Sequence, residues 1–168
     1  MSLVDALRRR GLTVAFCESL TAGLAAATLA DTPGATAVLR GGRITLATDR
    51  QKPPAGGLIT YATDLKYSLA GVPEGADPVD GDTAVAMARG ARERCGADWG
   101  VALTGVAGPD PQDGHAVGEV WLGFAGPGGV DKQRLQLSGD RREIREQAVN
   151  AALDGLRARV EQNDGVGR

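Results

Sequence analysis

The sequence predicts an α/β fold: a three-layer α/β/α single domain with a mixed sheet. Three observations carry that prediction. Residues 13–17 and 98–104 are short, near-continuous apolar runs, the pattern of strands covered on both faces. Helical patterns alternate with them, which gives layered α/β architecture. Residues 118–125 and 130–137 flank a Pro127-Gly128-Gly129 turn, so this strand pair can be antiparallel and the sheet mixed. A chain of 168 residues is long enough to bury a real core. The domain is expected to span residues 1–161, with an insertion at 43–57 and a frayed tail at 162–168.

Residues 2–10 read as a first helix, with Leu3, Ala6 and Leu7 on one face and Gly11 as its C-cap. Its charges mark it as a helix start and not a signal peptide. After strand 13–17 the chain breaks at Glu18-Ser19. It re-emerges as an Ala-rich helical pattern over 21–30, which Asp31-Thr32-Pro33-Gly34 ends. Residues 35–40 are ambiguous. An internal echo follows, in which residues 44–49 (Ile-Thr-Leu-Ala-Thr-Asp) recur at 59–64 (Ile-Thr-Tyr-Ala-Thr-Asp), each after a Gly-Gly pair. Two β-prone segments around Pro53-Pro54 suggest two strands that can pair. One short duplication does not make a repeat fold. Residues 43–57 are therefore predicted to form a surface hairpin arm or loop whose deletion leaves folding largely intact.

Residues 64–70 predict a short helix closed by Gly71, and 72–81 a loop rich in Pro, Gly and Asp. Asp80 or Asp82 can cap a helix running to Cys95, with Val85, Ala88 and Arg92 along one side. Residues 105–117 form a long Gly/Pro loop, of a length that is usually functional or mobile. Strand 130–137 alternates and should be half exposed. Ser138 or Asp140 caps a last helix that carries Ile144, Ala148, Ala152 and Leu156 at four-residue spacing.

Composition narrows the function. A net charge of −2 advertises no basic surface for nucleic acid or an acidic membrane, and 4% aromatic residues argue against base-stacking platforms. Cys17 and Cys95 stand in no metal-ligand spacing and read as buried reduced thiols. A single histidine, His115, rules out a two-histidine metal site. No apolar run approaches the roughly 20 residues of a membrane span. The expectation is a soluble, cytoplasmic protein with no metal or cofactor.

The candidate chemistry centres on Ser19. A hydroxyl at a strand-to-helix turn is a plausible nucleophile, and helix N-terminal amides near Thr21 to Gly23 can hold an oxyanion. Small residues such as Ala22 and Gly23 admit a substrate close to the backbone. Ser19 and Thr21 read equally well as plain helix caps. Ser19 needs a base. His115 lies in a Gly/Asp loop and reads as a solvated loop residue, whose removal should change little. Lys66 lies five residues after Tyr61, so both can face one cleft. A partly desolvated lysine can lose its proton and serve as base, and Tyr61 could relay a proton or donate to an oxyanion. The alternative is an exposed lysine and a packed tyrosine. Thr104-Gly105-Val106-Ala107-Gly108-Pro109 follows the buried strand, where α/β sheets bind ligands, and lacks the P-loop ending. It reads as a ligand loop or a tight turn. Arg141, Arg142 and Arg145 could hold a phosphate or form a solvated charge cluster.

At these motifs the chain resembles the CinA C-terminal domain family, whose members include nicotinamide mononucleotide (NMN) amidohydrolases. The family's Glu-Ser-Cys-Thr-Gly-Gly turn is similar to Glu18-Ser19-Leu20-Thr21-Ala22-Gly23. Its Val-Pro-Gly-Ser-Ser stretch resembles Thr32 to Thr36. Its Tyr-x-x-x-x-Lys pattern, followed by Leu-x-Gly-Val, matches Tyr61, Lys66, Leu69, Gly71 and Val72. Its Thr-Gly-x-Ala-Gly-Pro loop matches Thr104 to Pro109, and its Gly-x-Val-x-Leu/Ile strand resembles Gly118 to Leu122. Its Gly-Asp-Arg-x-x-Ile-Arg signature matches Gly139, Asp140, Arg141, Ile144 and Arg145. The motifs occur in one order from Leu3 to Arg157, which makes them far more specific together than singly.

The resemblance implies a metal-independent hydrolase that converts NMN to nicotinate mononucleotide and ammonia. In it Ser19 would be the nucleophile, Lys66 the base and Tyr61 a helper. Glu18, Thr21, Ala22, Gly23, Thr104, Gly105, Ala107, Gly108 and Arg145 would line the site of a small-molecule nucleotide, and the family implies a homo-oligomer. The chain also departs from the pattern. Leu20 replaces a cysteine, Ala22 replaces a glycine where substrate should approach most closely, and residues 43–57 look inserted. In the first echo, Leu46 stands in the tyrosine's place and Lys52 lies six residues on, so the second echo aligns with the family. The rival expectation is a degraded module of the same fold that binds a pyridine nucleotide or a protein partner without chemistry.

Overall fold

A computed structural model describes residues 1–40 and 57–162. The helices are α1 (Leu3–Arg9), α2 (Leu24–Ala30), α3 (Thr63–Ala70), α4 (Gly81–Cys95) and α5 (Arg141–Gln162). The strands are β1 (Val14–Glu18), β2 (Leu58–Ile59), β3 (Trp99–Gly105), β4 (Glu119–Gly126) and β5 (Gly129–Gln136). They form one sheet in the order β2-β1-β3-β4-β5. β2, β1 and β3 run parallel, and β4 and β5 are antiparallel additions, so the sheet is mixed as the sequence predicts.

The pleat sorts the apolar residues into two cores. Val14 and Phe16 of β1, Val101 and Leu103 of β3, and Leu122 and Phe124 of β4 face α1, α2 and α5. Ala15 and Cys17 of β1, Ala102 of β3 and Ala125 of β4 face α4. This is the three-layer α/β/α arrangement. The α4 side is built from small residues because the helix lies almost on the sheet. A Cβ at Gly100 would stand 1.9 Å from the Ala88 carbonyl oxygen, and one at Gly123 2.0 Å from that of Ala84. The α1/α5 side carries the bulk: Phe16, Phe124, Leu103, Leu122, Ile144 and Leu156 are fully buried, each contributing about 1.5–3 kcal/mol.

Several boundaries differ from the sequence reading for physical reasons. α2 begins at Leu24, not at residue 21, and its N-cap is Gly23 at φ 98°, so neither Ser19 nor Thr21 caps it. On α4 the buried face is Ala84, Met87, Ala88, Ala91 and Cys95; Val85 and Arg92 lie to its side, because the helix must present its smallest residues to the sheet. Asp80 is the cap, accepting the Thr83 amide at 2.6 Å. β5 is exposed at nearly every position, since it is an edge strand, although Leu135 still packs against the core. α5 buries the predicted Ile144, Ala148, Ala152 and Leu156, with Val149 and Val160 beside them. Asp140 caps α5, accepting the amides of Arg142 at 2.8 Å and Glu143 at 2.9 Å. The second echo pairs β2 with Cys17 and Glu18 of β1 and then enters α3. The first echo and the arm predicted at 43–57 lie outside the described residues, except Gly57. Residue 162 closes α5, and the rest of the predicted tail is outside the described residues. Among the described residues no helix is long and apolar enough to cross a membrane.

Candidate active site

The carboxyl ends of β1 and β3 open into one cleft. Ser19 leaves β1 there, held by its amide on the Leu103 carbonyl at 3.0 Å. The residue is 7% exposed yet lines the cleft, and its Oγ has no hydrogen-bond partner among the described residues. Lys66, Tyr61, Gly105, Ala107, Gly108 and Arg141 line the same cleft, which encloses about 100 Å³. The structure therefore brings Ser19, Lys66 and Tyr61 together, although no hydrogen bond joins Ser19 to Lys66.

Lys66 comes from the first turn of α3 and is buried. Its Nζ donates to the Pro78 carbonyl at 2.9 Å and to Thr104 Oγ1 at 3.0 Å. Thr104 Oγ1 in turn donates to Pro78 at 2.6 Å. Among the described residues no carboxylate forms an ion pair with the ammonium. Burial disfavours its charge and lowers the pKa to about 8, against the weaker opposing influence of Cys17, Asp113 and Asp77. A neutral amine has two N–H donors and one lone pair. Both donors are engaged, so the lone pair is the atom's remaining function. Cys17, also buried, has its thiol pushed up to about 12 by desolvation, which keeps it an uncharged packing group and not a rival nucleophile.

Other expected site residues take different places. Glu18 is buried under α2: its Oε2 accepts the amides of Gly23 and Ala25, and its Oε1 that of Ala26, all at 3.0 Å. A side-chain carboxylate thus occupies the helix N-terminus that was expected to hold substrate. Of the turn amides, Ala22 donates to the Ser19 carbonyl at 3.1 Å, while those of Leu20 and Thr21 have no acceptor among the described residues. Thr21 is fully buried, and its hydroxyl lacks a partner among the described residues. Ala22 is exposed at φ 50° and does not line the cleft, so its methyl does not narrow it; this corrects the expectation of closest approach there. Gly23 abuts Ile59, whose Cδ1 would lie 3.3 Å from an added Cβ. Thr104 meets Lys66 and does not itself line the cleft. Arg145 donates to the carbonyls of Leu20 at 2.9 Å and Thr21 at 3.0 Å, bracing the Ser19 turn.

Arg141, one turn earlier, is the arginine that lines the cleft among the described residues. It donates to the Gly108 carbonyl and to the Tyr61 hydroxyl, bridging the mouth. Three arginines, Arg141, Arg142 and Arg145, open α5, and which of them reaches the cleft depends on where α5 meets the sheet. Asp110, Gln112 and Asp113 also line the cleft, and the only sequence signal for them is the length of their loop. His115 is not a solvated loop residue. It is half-buried and contacts Asp77 and Glu119. Among the described residues no group of three or more His, Cys, Asp or Glu is arranged to hold a metal ion.

Comparison with known proteins agrees with this architecture. The family model described as the CinA C-terminal domain matches residues 1–53 and 51–160. A "CinA-like protein" of Frankia casuarinae is 44% identical over 155 residues, 90% of this chain and 32% of that protein. The chain spans about a third of the length of the curated relatives it matches. Among solved structures, a competence-damaged protein (CinA) superfamily protein from Klebsiella pneumoniae superposes with a TM-score of 0.81 at 26% identity, covering 95% of this chain and 94% of the other. The competence/damage inducible protein CihA from Agrobacterium tumefaciens gives 0.75 at 32% identity, covering 93% and 94%. The family model and these matches run through the cleft-forming strands and helices alike: the chain belongs to the CinA C-terminal domain family.

Proposed function

We propose that the protein is a serine amidohydrolase that deamidates NMN to nicotinate mononucleotide and ammonia. The observation that carries this reading is the pairing in one cleft of a hydrogen-bond-free Ser19 hydroxyl with a desolvated Lys66 whose two N–H donors are already engaged. Neutral Lys66 takes the Ser19 proton, and the alkoxide attacks the carboxamide carbon. The Leu20 amide, free of any acceptor among the described residues and in the cleft wall, stabilises the oxyanion. The protonated amine returns its proton to departing ammonia, and water cleaves the acyl-enzyme by the reverse relay.

Arg141 and Tyr61 stand at the mouth, where a phosphate would part them and gain a guanidinium partner. The enclosed volume of about 100 Å³ suits the ring and carboxamide end of the substrate, with ribose and phosphate toward the mouth.

The test is ammonia release from NMN, run beside a thermal-shift titration with the same compound. Ammonia formation that Ser19→Ala abolishes supports the reading. Thermal stabilisation without ammonia points to a binding module of the same fold, and neither signal points to a protein-interaction role. If Ser19→Ala turns over at the wild-type rate, a directly activated water replaces the serine nucleophile.

A further inference from the structure

Two loops wall the Ser19 cleft. One, between α3 and α4, contributes Pro78 and Val79; the other, between β3 and β4, contributes Val106 to Gly108, Asp110, Gln112 and Asp113. His115, the chain's only histidine, lies behind the second wall and reaches across to the first. Its Nε2 stands 3.0 and 3.1 Å from the two Asp77 carboxylate oxygens, and its Nδ1 3.2 Å from Glu119 Oε2. Glu119, at the start of β4, is anchored in turn by Trp121 Nε1 at 3.3 Å and Arg134 at 3.1 Å. The backbone beneath the ring is tied as well, because His115 and Gln112 exchange amide hydrogen bonds of 2.9 and 3.1 Å.

Asp77 immediately precedes Pro78, the residue whose carbonyl receives both Lys66 and Thr104. The Asp77 carboxylate also accepts the Val79 amide at 2.9 Å, and its carbonyl accepts the Thr83 hydroxyl at 2.6 Å. The Pro78 carbonyl is thus aimed by a residue that His115 holds, and the Asp77 charge itself bears on Lys66.

We propose that His115 is a positioning residue: a cationic clasp that bridges Asp77 and Glu119, joins the two cleft walls, and fixes both the carbonyl and the electrostatic field that govern Lys66. Its bearing on turnover rests on the amidohydrolase reading; the clasp itself does not. Only the doubly protonated imidazolium can donate to both carboxylates, and the neutral ring must release one of them. Partial burial works against the cation, but the hydrogen bonds to Glu119 and Asp77 and their charges prevail and raise the pKa above the ordinary 6.5. Among the described residues the charged groups paired around the ring are Asp77 from the first wall and Glu119 from β4, with Arg134 of β5 behind Glu119. The clasp is therefore closed at low pH and opens as pH rises through the raised value.

The chain makes the test direct, because it has one histidine and three lysines, Lys52, Lys66 and Lys132. NMR titration of the intact chain, with no substrate present, follows His115 and Lys66 separately. In His115→Gln the Asp77 carboxylate loses the ring nitrogen that holds it away from Lys66, and the Lys66 midpoint should rise by roughly half a pH unit or more. His115→Lys restores a cation between the two carboxylates and should return Lys66 toward its wild-type midpoint. Asp77→Asn should lower the His115 midpoint and also lower that of Lys66. A Lys66 midpoint unchanged in both His115→Gln and Asp77→Asn, with the fold intact by amide spectra, overturns the proposal. So does a His115→Lys chain that titrates like His115→Gln. Because no turnover is read, failure of the clasp leaves the amidohydrolase reading standing, and an inactive enzyme with shifted Lys66 titration leaves the clasp standing.

Discussion

Glu18 Oε1 accepts the amide hydrogen of Ala26 over 3.0 Å, across eight residues of chain. With the Gly23 and Ala25 amides on the other oxygen, one carboxylate satisfies most of the open N-terminus of α2. Glu18 also immediately precedes Ser19, so releasing its carboxylate should disturb the turn that carries Ser19. Glu18→Gln should lower stability by about 1–3 kcal/mol, because an amide cannot accept three backbone donors as a carboxylate does. Denaturant melts would measure this, and the activity lost should exceed what the unfolded fraction explains.

Lys66 should make activity rise with pH. With its pKa lowered to about 8, the base is mostly protonated at pH 7 and mostly free at pH 9. The pH profile of kcat/KM on NMN should show an ascending limb near that value. Lys66→Met and Ser19→Ala should each nearly abolish turnover while the fold and some nucleotide affinity persist; Tyr61→Phe should be milder. An oxyanion donor alone is typically worth about 10²–10³ in rate, and the nucleophile more.

The same lysine should cost stability at neutral pH. Its folded pKa lies below the ordinary 10.5, so between about 8 and 10.5 the unfolded chain binds the extra proton and stability climbs with pH. Below that window the full cost of burying the ammonium is present. Lys66→Met should therefore raise stability at pH 7 by about 1–3 kcal/mol, a gain that narrows as the wild type is titrated upward. Paired thermal melts at pH 7 and pH 10 would measure it.

Ala22 holds a left-handed backbone at φ 50° with its methyl exposed. A residue with a Cβ costs roughly 1 kcal/mol or more in that conformation. Ala22→Gly should recover about 1 kcal/mol without altering kcat/KM, since the methyl does not reach the cleft. A large change in KM would show that the turn does contact substrate.

The layered fold was legible because burial leaves its period in the chain. Apolar runs at β1 and β3, the Gly-rich turn between β4 and β5, and Ile144, Ala148, Ala152 and Leu156 four apart each report a local constraint. Ser19, Lys66 and Tyr61 were legible as motif positions, and the residues alone left each open to a structural reading. What only the tertiary structure decided was what each polar group meets. Glu18 and Arg145 belong to motifs that read as ligand contacts, yet folding brings unpaired amides to the one and unpaired carbonyls to the other, and both are consumed inside the chain. Arg141 and Arg145 are chemically the same and one turn apart; the crossing of α5 over the sheet sends one to the cleft and the other to the Ser19 turn. His115 is 38 residues from Asp77 and has no local pattern to announce it. Hydrophobic periodicity is written residue by residue along the chain, whereas the pairing of a charge is a property of the space into which distant segments fold.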